Sequence, residues 1–361
     1  MKKQSRLDRV FLSKPGDTIL DTIETLKMTQ AELAERMGKT PSKINDLITG
    51  KEPITINTAL QLETVLGLPA SFMLKREANY RERLARIEEE EKLSCWIPWA
   101  QFHPVKELKK CGFISTADTG HATVKELLKF YGIATPQQWE SIYLQQYTSA
   151  RFRKSEAFET KGASITSWLR MGEIEMNKLQ LPEYNKDVFK QVVSDVRDLV
   201  MKHPENFAKQ LQQKCMNAGV ALVYTQCLPK APVSGAARWV GGNPLIQLSD
   251  RYKTNDHFWF TFYHEAGHIL LHGKKEVFLE EVEDHTLDEE KETEADRFAS
   301  KWLLPDEFEN DIKHPVSEKN IMDVARKYRT HPGIVVGRLQ KIKAVPYSFG
   351  YGLKEKLSLF N

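Results

Sequence analysis

The sequence predicts a multidomain chain with an all-α first domain, a helical connecting region and a last domain of mixed α+β type. Three observations carry that prediction. Two short helical patterns flank Gly38, Lys39 and Thr40, and apolar residues recur at 3- and 4-residue spacing through the middle of the chain. After Gly219, short strand-like runs precede an apolar helix that carries the sequence HEAGH.

At about 150 residues per domain, a chain of 361 residues has room for two to three domains. Its 41% hydrophobic and 28% charged residues match an ordinary globular protein and exclude a disordered, collagen-like or coiled-coil chain. Cys95, Cys111, Cys215 and Cys227 are scattered without a CxxC spacing, which fits neither a disulfide framework nor a cysteine zinc site, so reduced thiols are expected. No apolar run approaches the roughly 18 residues of a spanning helix, and the basic start lacks a signal-type apolar core, so a cytoplasmic protein is expected. The net charge of +3 is too small to imply a nucleic-acid partner by itself. Its distribution says more: residues 1–51 hold ten Lys/Arg against seven Asp/Glu, whereas residues 274–296 hold eleven acids against three bases.

The acidic run Glu88 to Glu91, preceded by Arg81, Arg83 and Arg86, reads as the solvated end of a helix, so the first domain is expected to span residues 1–92. A mostly helical connecting region follows over 93–217, with helical spacing in VKELLKFYGI and DVFKQVVSDVRDLV. The last domain is expected over 218–361. There GVALVY reads as a buried strand, and Gly241, Gly242 and Asn243 separate two strand-like pieces as in a hairpin. A helix over Phe258 to His272, an acidic loop and a second helix over roughly Glu290 to Leu304, stopped by Pro305, complete the pattern. A further helical pair is expected after Pro315.

Thr29 to Gly50 has helix-turn-helix spacing. Leu33, Ala34 and Met37 form the inward face of the first helix, and Ile44, Leu47 and Ile48 that of the second, where Thr40 can cap and Pro41 can occupy the first helical position. At roughly 100° per residue, the opposite face carries Ser42, Asn45, Asp46 and Thr49, with Lys43 on its flank. Short polar side chains on such a face can read base edges in a major groove, while Gln30 and Lys39 are placed for phosphates. The expected DNA-contacting set is therefore Gln30, Lys39, Thr40, Ser42, Lys43, Asn45 and Asp46. A plain helical hairpin with a solvated face is the alternative reading.

The segment from Pro15 to about Arg83, through PGDTILDTI, TQAELAERMGKTPSKINDLITGK, ITINTALQLETVLG and FMLKREANYRERL, resembles the Cro/CI-type (XRE-like) DNA-binding domain of HigA-type antitoxins. The resemblance implies a homodimer on double-stranded operator DNA, an autoregulatory role and a ribonuclease-type toxin as partner. With only three excess positive charges in residues 1–51, modest non-specific affinity is expected, with reliance on dimerisation and base contacts.

HEAGH, His264 to His268, is an H-E-x-x-H match inside the apolar sequence FWFTFYHEAGHILLHG. On a helix the two histidines lie one turn apart and can ligate one zinc ion, with Glu265 beside them to accept a proton from water. A third ligand is required. Residue 274 is lysine, which excludes the metzincin histidine. His272, one further turn on, is awkward for a tetrahedral bond and reads more simply as a helix-end histidine. EKETEADRFASKWLLP offers Glu292 as the ligand, with Asp296 one turn later to accept a histidine ring N–H; Glu289, Glu290 and Glu294 are rivals in register. Arg238, Tyr252 and Tyr263 are the candidates for stabilising an oxyanion.

The region from about Leu228 to Pro305, through VSGAARWV, PLIQLSDRYKTNDHFWFTFYHEAGHILLHG and ETEADRFASKWLLP, resembles the ImmA/IrrE metallopeptidase family. The resemblance implies a zincin-like α+β fold with one Zn2+ per chain held by His264, His268 and Glu292, with Glu265 as general base. It also implies a repressor-type protein, or the chain itself, as substrate. A non-catalytic repressor, whose second domain is a sensor or interaction module, remains the alternative. A peptidase whose first domain binds protein is a further one.

Overall fold

The computed structural model describes residues 12–115, 120–144, 156–272, 278–279, 289–357 and 359–360. The chain divides into two compact units, Met1–Pro98 with Thr119–Lys125, and Trp99–Asp118 with Glu126–Asn361.

The first unit is built from α1 (Pro15–Thr25), α2 (Gln30–Arg36), α3 (Pro41–Thr49) and α4 (Ile56–Leu66), followed by the long α5 (Ala70–Gln101). Each helix begins where a side chain can satisfy an orphan N–H. Thr29 accepts from Glu32 N while Glu32 reaches back to Thr29 N, a capping box, and Thr40 accepts from Lys43 N with Pro41 at the first helical position. The inward residues expected of the two helices, Leu33, Ala34 and Met37 with Ile44, Leu47 and Ile48, are all buried in one core with Ile19, Leu62 and Met73. The acidic run Glu88 to Glu91 lies inside α5 instead of ending it. Glutamate is a good helix former and no breaker occurs until Pro98, so the run cannot terminate the helix; Glu89 pairs with Lys125 at 3.0 Å.

After α5 come three short helices, α6 (Val105–Lys110), α7 (His121–Tyr131) and α8 (Pro136–Trp139), then α9 (Glu156–Met176), α10 (Lys186–Asp195), α11 (Arg197–Lys202) and α12 (Phe207–Asn217). Within the second unit, Met176 and the buried residues from Phe189 to Cys215 contribute to the cores that pack on the sheet.

β1 (Ala221–Thr225), β2 (Gly235–Val240), β3 (Asn243–Ser249) and the short β4 (Phe278–Leu279) form a sheet ordered β1-β3-β2-β4. β1 and β3 are parallel, and the other pairings are antiparallel. The expected hairpin joins β2 to β3 through Gly241 and Gly242, whose φ angles of 58° and 96° are the left-handed values that a two-residue turn demands. Strand alternation gives the sheet two buried faces. Ala237, Ile246 and Leu248 belong to the core shared with α13 (Asn255–Leu271), whereas Ala221, Val223 and Leu245 pack against Met176 of α9.

α14 (Glu289–Leu303) lies against α13, and the pair after Pro315 forms α15 (Glu318–Lys327) and α16 (Pro332–Lys341). The core around α13 takes in Phe189, Leu211, Trp259, Phe262, Ala266, Ala299 and Leu339, so the HEAGH helix is central to this unit. Apart from β4, the acidic loop expected after His272 lies outside the described residues. Among the described residues, no helix is long and apolar enough to cross a membrane.

Candidate metal centre and nucleic-acid face

α13 is apolar on nearly all sides, and every residue from Phe262 to Leu270 is buried. A helix so enclosed can present histidines only where something answers their nitrogen atoms. α14 supplies that answer. His264 meets Asp296 while His272 meets Glu294, so the two helices run antiparallel with their polar residues facing one another.

At the centre, Nε2 of His264 lies 3.0 Å from Nε2 of His268. The Glu292 carboxylate closes the triangle, 3.2 Å from His264 and 3.3 Å from His268. A tetrahedral zinc with bonds of about 2.0–2.1 Å needs neighbouring donor atoms roughly 3.3 Å apart, so this donor set has the chemistry and the spacing for one such ion. Among the described residues, these three form the cluster able to hold a metal.

The outer ring nitrogens define the tautomers. Nδ1 of His264 donates to Asp296 Oδ1 at 3.0 Å, and the other Asp296 oxygen receives Lys341 Nζ at 3.3 Å. The Nε2–H of His272 donates to Glu294 at 3.0 Å and its Nδ1 accepts from Nδ1 of His268, also at 3.0 Å. Both Nε2 lone pairs therefore point inward, toward each other and toward a carboxylate. A metal ion between them would take up those electron pairs.

The electrostatics agree with that role. Burial pushes the His268 imidazole below its ordinary pKa, which keeps it neutral. Burial alone would raise the Glu292 carboxyl, but its contacts with His264 and His268 outweigh it and hold the group down at about 2. At Asp296 the opposing burial is likewise outweighed, first by the His264 hydrogen bond and then by Lys341, and its pKa is lowered.

Glu265 is wholly buried on the side of α13 that faces β2. There the sequence places Gly235, where a Cβ would stand 2.5 Å from Thr261 Cγ2 and 2.6 Å from Glu265 Oε1. The missing side chain at Gly235 is the space that the Glu265 carboxylate occupies.

Of the residues singled out in the sequence, His264, His268, Glu292 and Asp296 come together. Two of the candidates for an oxyanion do not join them. Arg238 and Ala236 alternate with Gly235 and Ala237, so Arg238 points to the other face of the sheet, donating to Leu169 O at 2.6 Å and to Gln247 Oε1 at 3.0 Å. Tyr263 is buried and donates to Val193 O at 3.1 Å. Tyr252 stacks on His257 with ring centroids 4.4 Å apart. Glu290 is an exposed residue at the start of α14, and the Glu289 side chain lies outside the described residues.

Sequence reasoning missed the work of His272, Glu294, Lys341 and Gly235. The i+4 spacing of His272 from His268 was the available signal, since it puts both rings on one helix face.

In the first unit, Gln30, Thr40, Ser42, Lys43 and Asn45 are exposed, while Lys39 and Asp46 are half-buried. Thr40 is also the cap of α3. Lys43 lies 3.7 Å from Glu52, an exposed pair that screens part of its charge. Thr49 donates its hydroxyl to Asn45 O one turn back at 2.8 Å, so that proton is committed to the helix backbone.

Residues 22–73 match the family model described as helix-turn-helix, and residues 215–340 match the peptidase family described as IrrE N-terminal-like domain. The second match runs from the end of α12 into α16 and contains the whole His264–His268–Glu292 cluster. No curated protein matches the chain.

Proposed function

From a chain that joins a helix-turn-helix segment to an IrrE/ImmA-type peptidase segment, we propose a DNA-binding regulator with a zinc-dependent endopeptidase that cleaves a repressor-type protein or the chain itself. The observation that carries the peptidase half is the convergence of two imidazole nitrogens and one carboxylate from antiparallel helices, within 4.8 Å of one another.

In this reading His264, His268 and Glu292 hold one zinc ion. Bound there, zinc would supply a Lewis acid for a peptide carbonyl and lower the pKa of a water toward about 7. Glu265 would take a proton on its carboxylate from the attacking water and deliver it to the leaving amine nitrogen as the peptide C–N bond breaks. Asp296 and His272 orient the rings, so that no reorganisation is needed when substrate arrives. On the DNA side, α3 enters the major groove with Ser42, Asn45 and Asp46 toward base edges, and Gln30, Lys39 and Lys43 toward phosphates. Two copies on a palindromic operator would supply the affinity that the modest charge of one copy does not.

Elemental analysis of the purified chain should find one zinc per chain, and Glu265→Gln should keep the zinc while losing cleavage of candidate repressors. Equal turnover by that variant removes the mechanism; zinc without proteolysis on any candidate favours a sensor or interaction module. Footprinting upstream of the gene tests the other half, where Lys43→Ala should weaken binding and lower the salt slope by about one.

A further inference from the structure

A cavity of about 570 Å³ opens beside the metal cluster, and His264 and Glu292 form part of its wall. That volume falls within the range of about 300–1,000 Å³ typical of ligand sites and exceeds what one leucine or phenylalanine side chain fills. Its apolar lining comes from Leu303 at the end of α14 and Leu304 just beyond it, Ile334 of α16 and Phe260 of α13. Three cations stand around it, and each is paired with a carboxylate of the same chain. Lys341 lies 3.3 Å from Asp296, Lys354 lies 2.6 Å from Asp256, and Arg338 lies 2.6 Å from Asp306. Lys341 is further held 4.5 Å above the Phe260 ring.

We propose that this cavity receives a bulky uncharged apolar side chain of the substrate polypeptide, beside the bond to be cut. The inference rests on the peptidase reading and adds the class of residue selected. An acidic side chain would meet cations whose charge Asp296, Asp256 and Asp306 already balance, and a basic one would meet lysine and arginine already in place. An apolar side chain meets neither obstacle and buries its surface on Leu303, Leu304 and Ile334, which rewards size.

The test uses the zinc-loaded full chain and two metal-binding probes, acetohydroxamic acid and 3-phenylpropanohydroxamic acid, compared by calorimetry. The phenyl probe should bind at least tenfold more tightly. Ser300→Trp, which fills the cavity, should bring the ratio of the two affinities toward one. Ile334→Ala, which strips its lining without adding bulk, should lower the same ratio in a chain that need not accommodate a larger residue. Equal binding of the two probes to the unmodified chain overturns the cavity assignment and leaves the metal reading intact, as does a ratio that neither variant changes. Tight binding of the phenyl probe that survives zinc removal would mark a ligand site unrelated to cleavage, and also overturns it. If neither probe binds the zinc-loaded chain, the peptidase reading fails and the cavity assignment falls with it.

Discussion

His272 is a residue whose chemistry depends on its neighbours more than on its type. It accepts from His268 and donates to Glu294, so it holds one ligand ring as Asp296 holds the other. His272→Ala should weaken zinc binding by about ten- to a hundredfold in competition with a chelator, the usual cost of losing such a partner. An unchanged affinity would show that packing alone orients His268. His103 offers a separate prediction in pH. It is buried against Trp99, Tyr131 and Trp139, with Nδ1 donating to Trp99 O at 3.1 Å, and burial pushes its pKa down to about 3. The unfolded chain takes up a proton near pH 6.5 that the folded chain refuses until about 3, so stability is full above the first value and falls toward the second. The slope contributed is at most about 1.4 kcal/mol per pH unit. Urea unfolding across that window should show a flatter decline for His103→Phe; an identical decline would place the acid sensitivity elsewhere.

Elements are placed by contacts that leave no room for a side chain. β2 reaches α13 only because residue 235 is glycine, and the Cβ of Gly235→Ala would collide with Thr261 and with the Glu265 carboxylate. This variant should lose about 1–3 kcal/mol of stability through overpacking and should lower peptidase activity at least tenfold while retaining zinc. Metal content together with a turnover assay checks it, and full activity would show that Glu265 has freedom the packing denies. In the first unit, Thr40→Ala removes the cap of α3 and should cost about 0.5–2 kcal/mol, read from thermal unfolding. These helices were legible in the sequence because their signals are local. Thr29, Thr40 and Pro41 announce helix starts, and the buried residues recur at helical spacing. The end of α5 was misread because a run of glutamates looks like a boundary in charge but is a good helix in propensity.

For the whole molecule, zinc should couple to the stability of the second unit, since an ion bound only by the folded state adds about 4 kcal/mol at a thousandfold excess over its dissociation constant. All the tryptophans except Trp96 lie beyond residue 98, so their fluorescence reports mainly that unit. A chelator should lower the midpoint of the fluorescence transition in urea; an unmoved midpoint would mean that the cluster holds no ion in solution. What the sequence by itself determined is the chemistry carried along single helices: the helix-turn-helix spacing, two histidines one turn apart, Glu265 between them, and Glu292 with Asp296 one turn later. Each follows from the helical repeat, which brings residues four apart to one face whatever the rest of the chain does. Only the tertiary structure decided which helices meet. The antiparallel contact of α13 and α14 brings His272 to Glu294. The sheet's alternation sends Arg238 away from the site, and Lys341 arrives from α16, 45 residues beyond Asp296. Such pairings depend on burial summed over a whole core, and no local spacing encodes that sum.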